Sequence, residues 1–380
     1  MRFIHISDLH LGKFVHGKSM LELQKEVLNE LVYYMTQEKI TTIVIAGDIY
    51  DRLVPPVEAV ELFDDFLACL INDHQIQVLM ISGNHDSNER LHYASSILRK
   101  NGCFVSTNIK KGMDVVEMED EYGKIRFYLL PFIKPGDVKE VYPDEKIKTY
   151  QDAIALLLKK QPLDLNCRNV LVTHQFVAGK KDLIRSESES MQYVGEAQMV
   201  GVDLFDDFDY VALGHIHAFQ KVGKASICYS GSLLRYSFDE VKQTKGFLDV
   251  EIKEKGNITY QLIPFHPSLT LVAYQGYFND FMDEKQNIIK NKNDYIAFEL
   301  LDTSLIPNAM DTLRTYYPNA LKLTYAMLEK NTTYQSQSRA SLKQKSDTEL
   351  FGDFYKMIKD QPLSSENQKI VAEMLMEEKL

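Results

Sequence analysis

Five short runs of the chain are predominantly apolar, and each ends abruptly in polar residues. They are Arg2–Ser7, Thr41–Ala46, Val78–Ser82, Asn169–Thr173 and Tyr210–Leu213. Runs of four to six residues rich in Val and Ile are too short for buried helices and predict buried β-strands. Between the first three, the spacing changes to a helical one. Leu23, Val27, Leu31 and Met35 follow an S-x-x-E capping box at Ser19 and Glu22. Val60, Phe63, Leu67 and Leu70 follow Pro56, which suits a first helical turn. Alternating strands and helices predict an α/β layered domain.

Farther on, the pattern is richer in strands. Ile125–Leu130, Ala225–Tyr229 and Phe247–Ile252 read as strands, and Ala153–Lys160 as a helix. The stretch between His174 and Tyr210 contains Arg185-Ser-Glu-Ser-Glu-Ser190. Its polarity predicts a surface loop beside the ligand-bearing strand ends. Pro264-Phe-His-Pro267 marks a boundary. Beyond it, Leu269–Tyr274, Tyr295–Leu301 and Leu321–Leu328 alternate with helical patterns at Asp280–Ile289 and Pro307–Tyr316, a small second α/β domain. The expected division is 1–265 for the large domain, 266–330 for the small one, a polar linker over 331–346, and two short amphipathic helices within 347–380. Helices that short bury little alone, so docking on a partner is expected of them.

The 380 residues carry a formal net charge of −11, which excludes a uniformly basic nucleic-acid grip but leaves room for metal-assisted phosphate binding. The four cysteines are scattered, without a C-x-x-C pair, and predict reduced thiols in the cytoplasm. The sequence lacks both an apolar stretch of membrane-spanning length and the layout of a signal peptide at Met1.

The chemistry sits at the strand ends. The five runs finish at Asp8 and His10, at Asp48, at Asn84-His85-Asp86, at His174, and at His215 and His217. Asp-x-His and His-x-His place two ligands on the same side of an extended segment. Any one of these clusters reads as ordinary turn chemistry; five, each capping an apolar strand, predict a site assembled on one sheet edge. Carboxylate, imidazole and amide oxygen suit Mn²⁺, Fe²⁺ or Zn²⁺ rather than Ca²⁺ or a thiolate zinc site. Two such ions predict hydrolysis of a phosphate ester.

The ordered set Asp-x-His, Gly-Asp-x-x-Asp, Gly-Asn-His-Asp, Thr-His and Gly-His-x-His resembles the calcineurin-like metallophosphoesterase family over about residues 1–255. Ser7-Asp-Leu-His-Leu-Gly-Lys13, Gly47-Asp-Ile-Tyr-Asp-Arg52 and Gly231-Ser-Leu-Leu-Arg-Tyr-Ser-Phe238 are similar to its bacterial DNA-nuclease branch. The resemblance implies a layered β-sandwich core flanked by helices, a capping domain over the DNA site, and C-terminal helices. It implies that Asp8, His10 and His217 hold one metal and Asn84, His174 and His215 a second, with Asp48 bridging. Mn²⁺ is the implied ion. His85 would be the general acid and Asp51 would orient it, whereas archaeal and eukaryotic members carry His at that position. The implied activity is exonuclease and endonuclease cleavage of DNA ends and hairpins in repair, recombination and replication. A homodimer working with an SMC-like ATPase at the nucleoid is the implied assembly. Arg52, Arg90 and Arg235 are candidate phosphate contacts, and Asp86 a candidate brace of its turn.

Two other readings compete. A protein phosphatase or cyclic-nucleotide phosphodiesterase could use the same site, although Leu53 stands where phosphatases carry Gly after the Gly-Asp-x-x-Asp-Arg run. A non-catalytic architectural subunit would keep the fold but has no use for His85.

Overall fold

The computed structural model describes residues 1–110, 112–189, 198–283 and 288–327, with scattered positions from 351 to 371. It divides into two units, Met1–Val272 and Ala273–Leu380.

The first unit is built on two six-stranded sheets. One contains β1 (Arg2–Ile6), β2 (Thr42–Ala46), β3 (Gln77–Ile81) and β4 (Cys103–Ser106). The other contains β5 (Asp114–Asp120), β6 (Gly123–Leu130), β7 (Arg168–Thr173), β8 (Tyr210–Leu213), β9 (Gln220–Val222) and β10 (Lys224–Tyr229). β11 (Gly246–Ile252) and β12 (Ile258–Pro264) return to the first. The strand orders are β12-β11-β1-β2-β3-β4 and β9-β10-β8-β7-β6-β5. Strands β1 to β4 run parallel, as do β6, β7, β8 and β10. The expected strands are all present; β4, β5, β9 and β12 are additional.

The sheets pack face to face. Phe3, Val44, Ala46, Leu79 and Ile81 from one meet Ile125, Phe127, Val170, Val172 and Ala212 from the other in a single buried cluster. The alternate residues of the first sheet, among them Ile4, Ile43, Ile45 and Met80, are also buried. This two-sided burial explains why the strands read as continuous apolar runs. The outer face of the second sheet packs on Ala153, Ile154 and Leu157 of a helix at Tyr150–Lys160.

Two helical expectations need correction. The first helix, α1 (Leu21–Gln37), buries Leu23, Val27, Leu31 and Met35 as expected, but Met20 is its N-cap and no side chain caps it. Ser19 instead accepts from the Leu21 amide, so the box with Glu22 does not form. The second helix, α2 (Val57–Ala68), has Pro56 as N-cap and buries Ala59, Leu62, Phe63 and Phe66, while Val60 is 42% exposed. The helix continues as a π-helical turn at Cys69–Asp73. Leu70 within that turn is buried as expected, so the departure lies at the start of the helix, where Ala59 rather than Val60 faces inward.

Across the two sheets, at the ends opposite the ligand-bearing ones, Arg168 is 2% exposed. Its guanidinium donates to Asp120 at 2.5 and 3.0 Å and to the carbonyls of Gly123, Ile252 and Lys253. It thereby ties β5, β6 and β7 to β11. Removing one partner of a buried pair strands the other charge. We expect Asp120→Ala to cost about 3 kcal/mol in urea unfolding, the low end of the range because Asp120 is itself 13% exposed.

The second unit carries most of β13 (Leu271–Gly276), with β14 (Tyr295–Leu300), β15 (Ala320–Tyr325) and helices at Phe278–Met282 and Ala309–Tyr316. β14 and β15 are parallel. Phe281, Phe298, Leu313 and Tyr317 are buried at its centre. The expected helix over Asp280–Ile289 is described only as Phe278–Met282 and in part lies outside the described residues. The linker over 331–346 and most of 347–380 also lie outside them.

Candidate metal centre

The parallel registers bring the ligand-bearing ends level. Ile6 pairs with Ile45, Ala46 with Ile81, and Thr173 with Leu213. Past these ends the backbone turns tightly. Asp8, His10 and Asp48 all adopt left-handed φ values of 46–52°, and His215 has φ 104°. Non-glycine residues in such conformations each cost about 1–3 kcal/mol, a strain typical of functional sites. Gly47 has φ 85°, and a Cβ there would meet His174 Nδ1 at 2.6 Å. A Cβ on Gly214 would lie 2.0 Å from the Ala46 carbonyl oxygen. The two sheets are pressed together here, and only glycine leaves room.

All seven expected ligands converge. Ligand atoms of Asp8, His10 and His217 lie within 4.8 Å of one another, and so do those of Asp8, Asp48 and His174. Asp48 Oδ2 is 3.7 Å from His10 Nε2 and 3.3 Å from His174 Nε2, so it faces both sets. Asn84 Oδ1 lies 3.2 Å from His174 Nε2 and 2.9 Å from His215 Nδ1. His10 and His217 point their Nε2 atoms at each other across 3.1 Å.

This donor set fits divalent cations. Asp8 and Asp48 are at most 2% exposed, and the nearby groups of opposite charge are imidazoles. Burial alone would lower the pKa of His174, but Asp48 and Asp8 outweigh it and push it up to about 9. A divalent cation would displace that proton and take over its charge. His174 Nδ1 donates to the Ala46 carbonyl at 2.7 Å, which turns Nε2 toward Asn84 and Asp48. Ser7 Oγ donates to Asp8 at 2.5 Å, and the His215 amide donates to the same carboxylate at 3.1 Å.

His85 is half-buried beside this cluster. Its amide donates to Asp48 Oδ1 at 2.8 Å, and its ring meets that of His10 edge-on at 4.9 Å. Its Nδ1 lies 2.8 Å from the backbone carbonyl of Asp51. The carboxylate of Asp51 is engaged elsewhere, at 2.8 Å from Lys13 Nζ and 3.5 Å from His10 Nδ1. Asp51 therefore contacts His85 through its main chain, and its side chain supports His10; the expected carboxylate–imidazole pairing is not made. Burial opposes ionisation of Asp51, yet His10 and Lys13 hold it well below the usual carboxylate range.

Asp86 accepts the amides of Ile49, Tyr50 and Gly83, which makes it a brace between two ligand turns. Burial and the nearby Asp48 push its carboxyl up to about 6. Arg235 donates to the carbonyls of Gln243 and Leu271, an internal brace rather than a phosphate contact. Arg52 and Arg90 are exposed.

The segment after His174 also departs from expectation. Its first described part does not float over the site, since Ser186 and Glu189 are buried. Polarity suggested solvent there, but these side chains find polar partners inside. Ser7, Lys13 and Glu189 are site residues that strand-end reasoning passed over. No local pattern marks the 186–189 segment: its residues form a turn, and the partners that draw Ser186 and Glu189 inward come from elsewhere in the chain.

This geometry can hold divalent cations, and the chain belongs to the calcineurin-like phosphoesterase family, whose family model matches residues 1–219. A second family model, the Type 5 capsule protein repressor C-terminal domain, matches residues 270–358. The chain is 34% identical over 366 residues to the SbcD subunit of nuclease SbcCD from Staphylococcus epidermidis, covering 96% of this chain and 95% of that relative. A crystal structure of a dimetal phosphatase from Danio rerio is similar at 12% identity and TM-score 0.37, covering 67% of this chain and 93% of that one.

Proposed function

We propose that this chain is the nuclease subunit of an SbcCD-type complex, cleaving DNA ends and hairpins as an exonuclease and endonuclease in repair, recombination and replication. The observation that carries the reading is the pair of overlapping ligand sets sharing Asp8, with a half-buried imidazole beside them. The likeness to a staphylococcal SbcCD nuclease component along nearly the whole chain supports DNA as the substrate.

In this reading Asp8, His10 and His217 hold one ion, Asn84, His174 and His215 the other, and Asp48 both; Mn²⁺ is the expected metal. When bound, two such ions activate a water and stabilise the oxygens of an in-line displacement. The protein supplies the rest. His85 Nδ1 is fixed on the Asp51 carbonyl, which leaves Nε2 to carry the proton given to the departing sugar oxygen. The strained turns at Asp8, His10 and Asp48 hold the ligands in place before substrate arrives.

The partner is an SbcC-type SMC-like ATPase, gripped by helices within 347–380, and the small domain over 266–330 caps the DNA. The active form is a homodimer. Leu53, Val54, Val57 and Val60 are all more than 40% exposed around the start of α2, an apolar strip suited to meeting its copy. Among the described residues no helix is long and apolar enough to cross a membrane, which suits work at the nucleoid in the cytoplasm.

The deciding experiment is Mn²⁺-dependent digestion of a hairpin DNA, with and without the SbcC-type partner, beside a phosphopeptide and an aryl phosphodiester. Hairpin cleavage abolished by chelation is the expected result. Strong phosphopeptide hydrolysis without DNA cleavage would place the chain among the protein phosphatases instead.

A further inference from the structure

His217 is anchored at its ring and at both of its backbone groups. Its amide donates to Glu189 Oε1 at 3.0 Å, and its carbonyl accepts from Lys245 Nζ at 2.8 Å. Its ring atom Nδ1 lies 2.6 Å from Ser188 Oγ. Ser188 Oγ in turn makes a short hydrogen bond to Glu240, a fully buried carboxylate. The other oxygen of Glu240 accepts from the Tyr236 amide at 3.0 Å and pairs with Lys245 at 2.7 Å. Ser186 Oγ donates to Glu240 as well, at 2.6 Å.

A buried carboxylate and ammonium are costly to desolvate, and apolar residues of similar size would brace the fold at less expense. What the pair adds here is direction. A carboxylate can only accept, so Ser188 gives its proton to Glu240 and must accept from His217 Nδ1. That fixes the proton on Nδ1 and leaves the Nε2 lone pair aimed at His10 and Asp8. Ser186 and Ser188 sit in one turn, closed by the Glu189 amide on the Ser186 carbonyl at 3.2 Å, and both hydroxyls reach the one carboxylate.

We propose that Glu240, acting through Ser188, is a positioning residue for His217, setting its tautomer and ring orientation for cation binding. Lys245 balances the charge of Glu240 and holds the His217 carbonyl. The segment Ser186–Glu189 is thereby part of the metal centre's support. This deepens the reading above, since it rests on His217 being a ligand.

The test is titration of the full-length protein with Mn²⁺, free ion being followed by electron paramagnetic resonance. Wild type should bind two ions. Ser188→Ala, which leaves the Glu240–Lys245 pair intact, should weaken one of the two by about 10–100-fold and leave the other unchanged. Ser188→Thr, which keeps the hydroxyl, should restore wild-type binding; Glu240→Gln should match Ser188→Ala. Two ions at wild-type affinity in Ser188→Ala, or failure of Ser188→Thr to restore binding, overturns the inference while leaving the nuclease reading standing. A wild type that binds fewer than two ions overturns both.

Discussion

Asp48→Asn should strip the protein of both ions and lower DNA cleavage to the level left by a chelator, with the fold retained. The expectation follows from the two jobs of this carboxylate. Oδ1 accepts the His85 amide at 2.8 Å and so shapes the Gly83–Asp86 turn. Oδ2 faces His174 at 3.3 Å and His10 at 3.7 Å. Asparagine matches aspartate in size, which matters because Gly83 presses directly against this side chain. Its amide oxygen can keep the bond to His85. Its NH₂ then replaces Oδ2, and a donor cannot ligate a cation. Changes one shell further out typically cost 10–100-fold in metal affinity, so loss of a ligand facing both sets should cost well over about 100-fold at each. The apo protein should melt somewhat earlier but still fold, because the substitution removes the carboxylate paired with His174 at 3.3 Å, a loss only partly offset by relief of the repulsion with Asp8 and Asp86. Metal analysis, a chelator-controlled nuclease assay and a melting curve read the three parts separately. Retention of two tightly held ions would show that Asp48 is not shared between them.

The convergence of the candidate site was legible because two independent signals coincide at each position. A β-branched run fixes where a strand ends, and a polar cluster marks what lies there. Parallel strands in register then place those ends on one edge, so residues from Asp8 to His217 meet without any local sequence link. The glycines before Asp48 and His215 carried a further hint, made physical by the clashes a Cβ would suffer. The left-handed turns at Asp8 and His10 carried no such hint, because neither residue is glycine and only tertiary contacts hold them there.

Other features failed to show for definite reasons. The inward face of α2 was misplaced at its start because apolar residues fall on both sides there, and the small Ala59, not the larger Val60, is the one that faces inward. Ser186 and Glu189 looked solvated because periodicity sees polarity and not partners, and the partner of Ser186, Glu240, lies more than fifty residues away. Asp51 was expected to face His85 with its carboxylate. Which of a residue's oxygens makes a contact is a matter of backbone course, and here the carbonyl makes it while Lys13 and His10 claim the side chain.

His85→Gln should lower turnover on DNA by about 10²–10⁴-fold, the usual worth of general acid–base help, while both ions remain bound. Glutamine is close in reach to histidine and its NH₂ can still donate to the Asp51 carbonyl. The His85 amide keeps its bond to Asp48 whatever the side chain, so the turn carrying Asn84 is undisturbed. What disappears is the transferable proton. Two further readouts separate an acid from a mere support. An aryl phosphodiester with a good leaving group needs little protonation of the departing oxygen, so the same variant should lose far less on it than on DNA. Michaelis constants should change little, because an acid acts in the transition state rather than in binding. Equal losses on the two substrates would make His85 a phosphate-positioning group. Loss of an ion would make it a ligand, a role its place in a third cluster with His10 and Asp51 makes worth excluding by direct metal analysis. Only a large, leaving-group-dependent loss with two ions retained fits proton donation from Nε2.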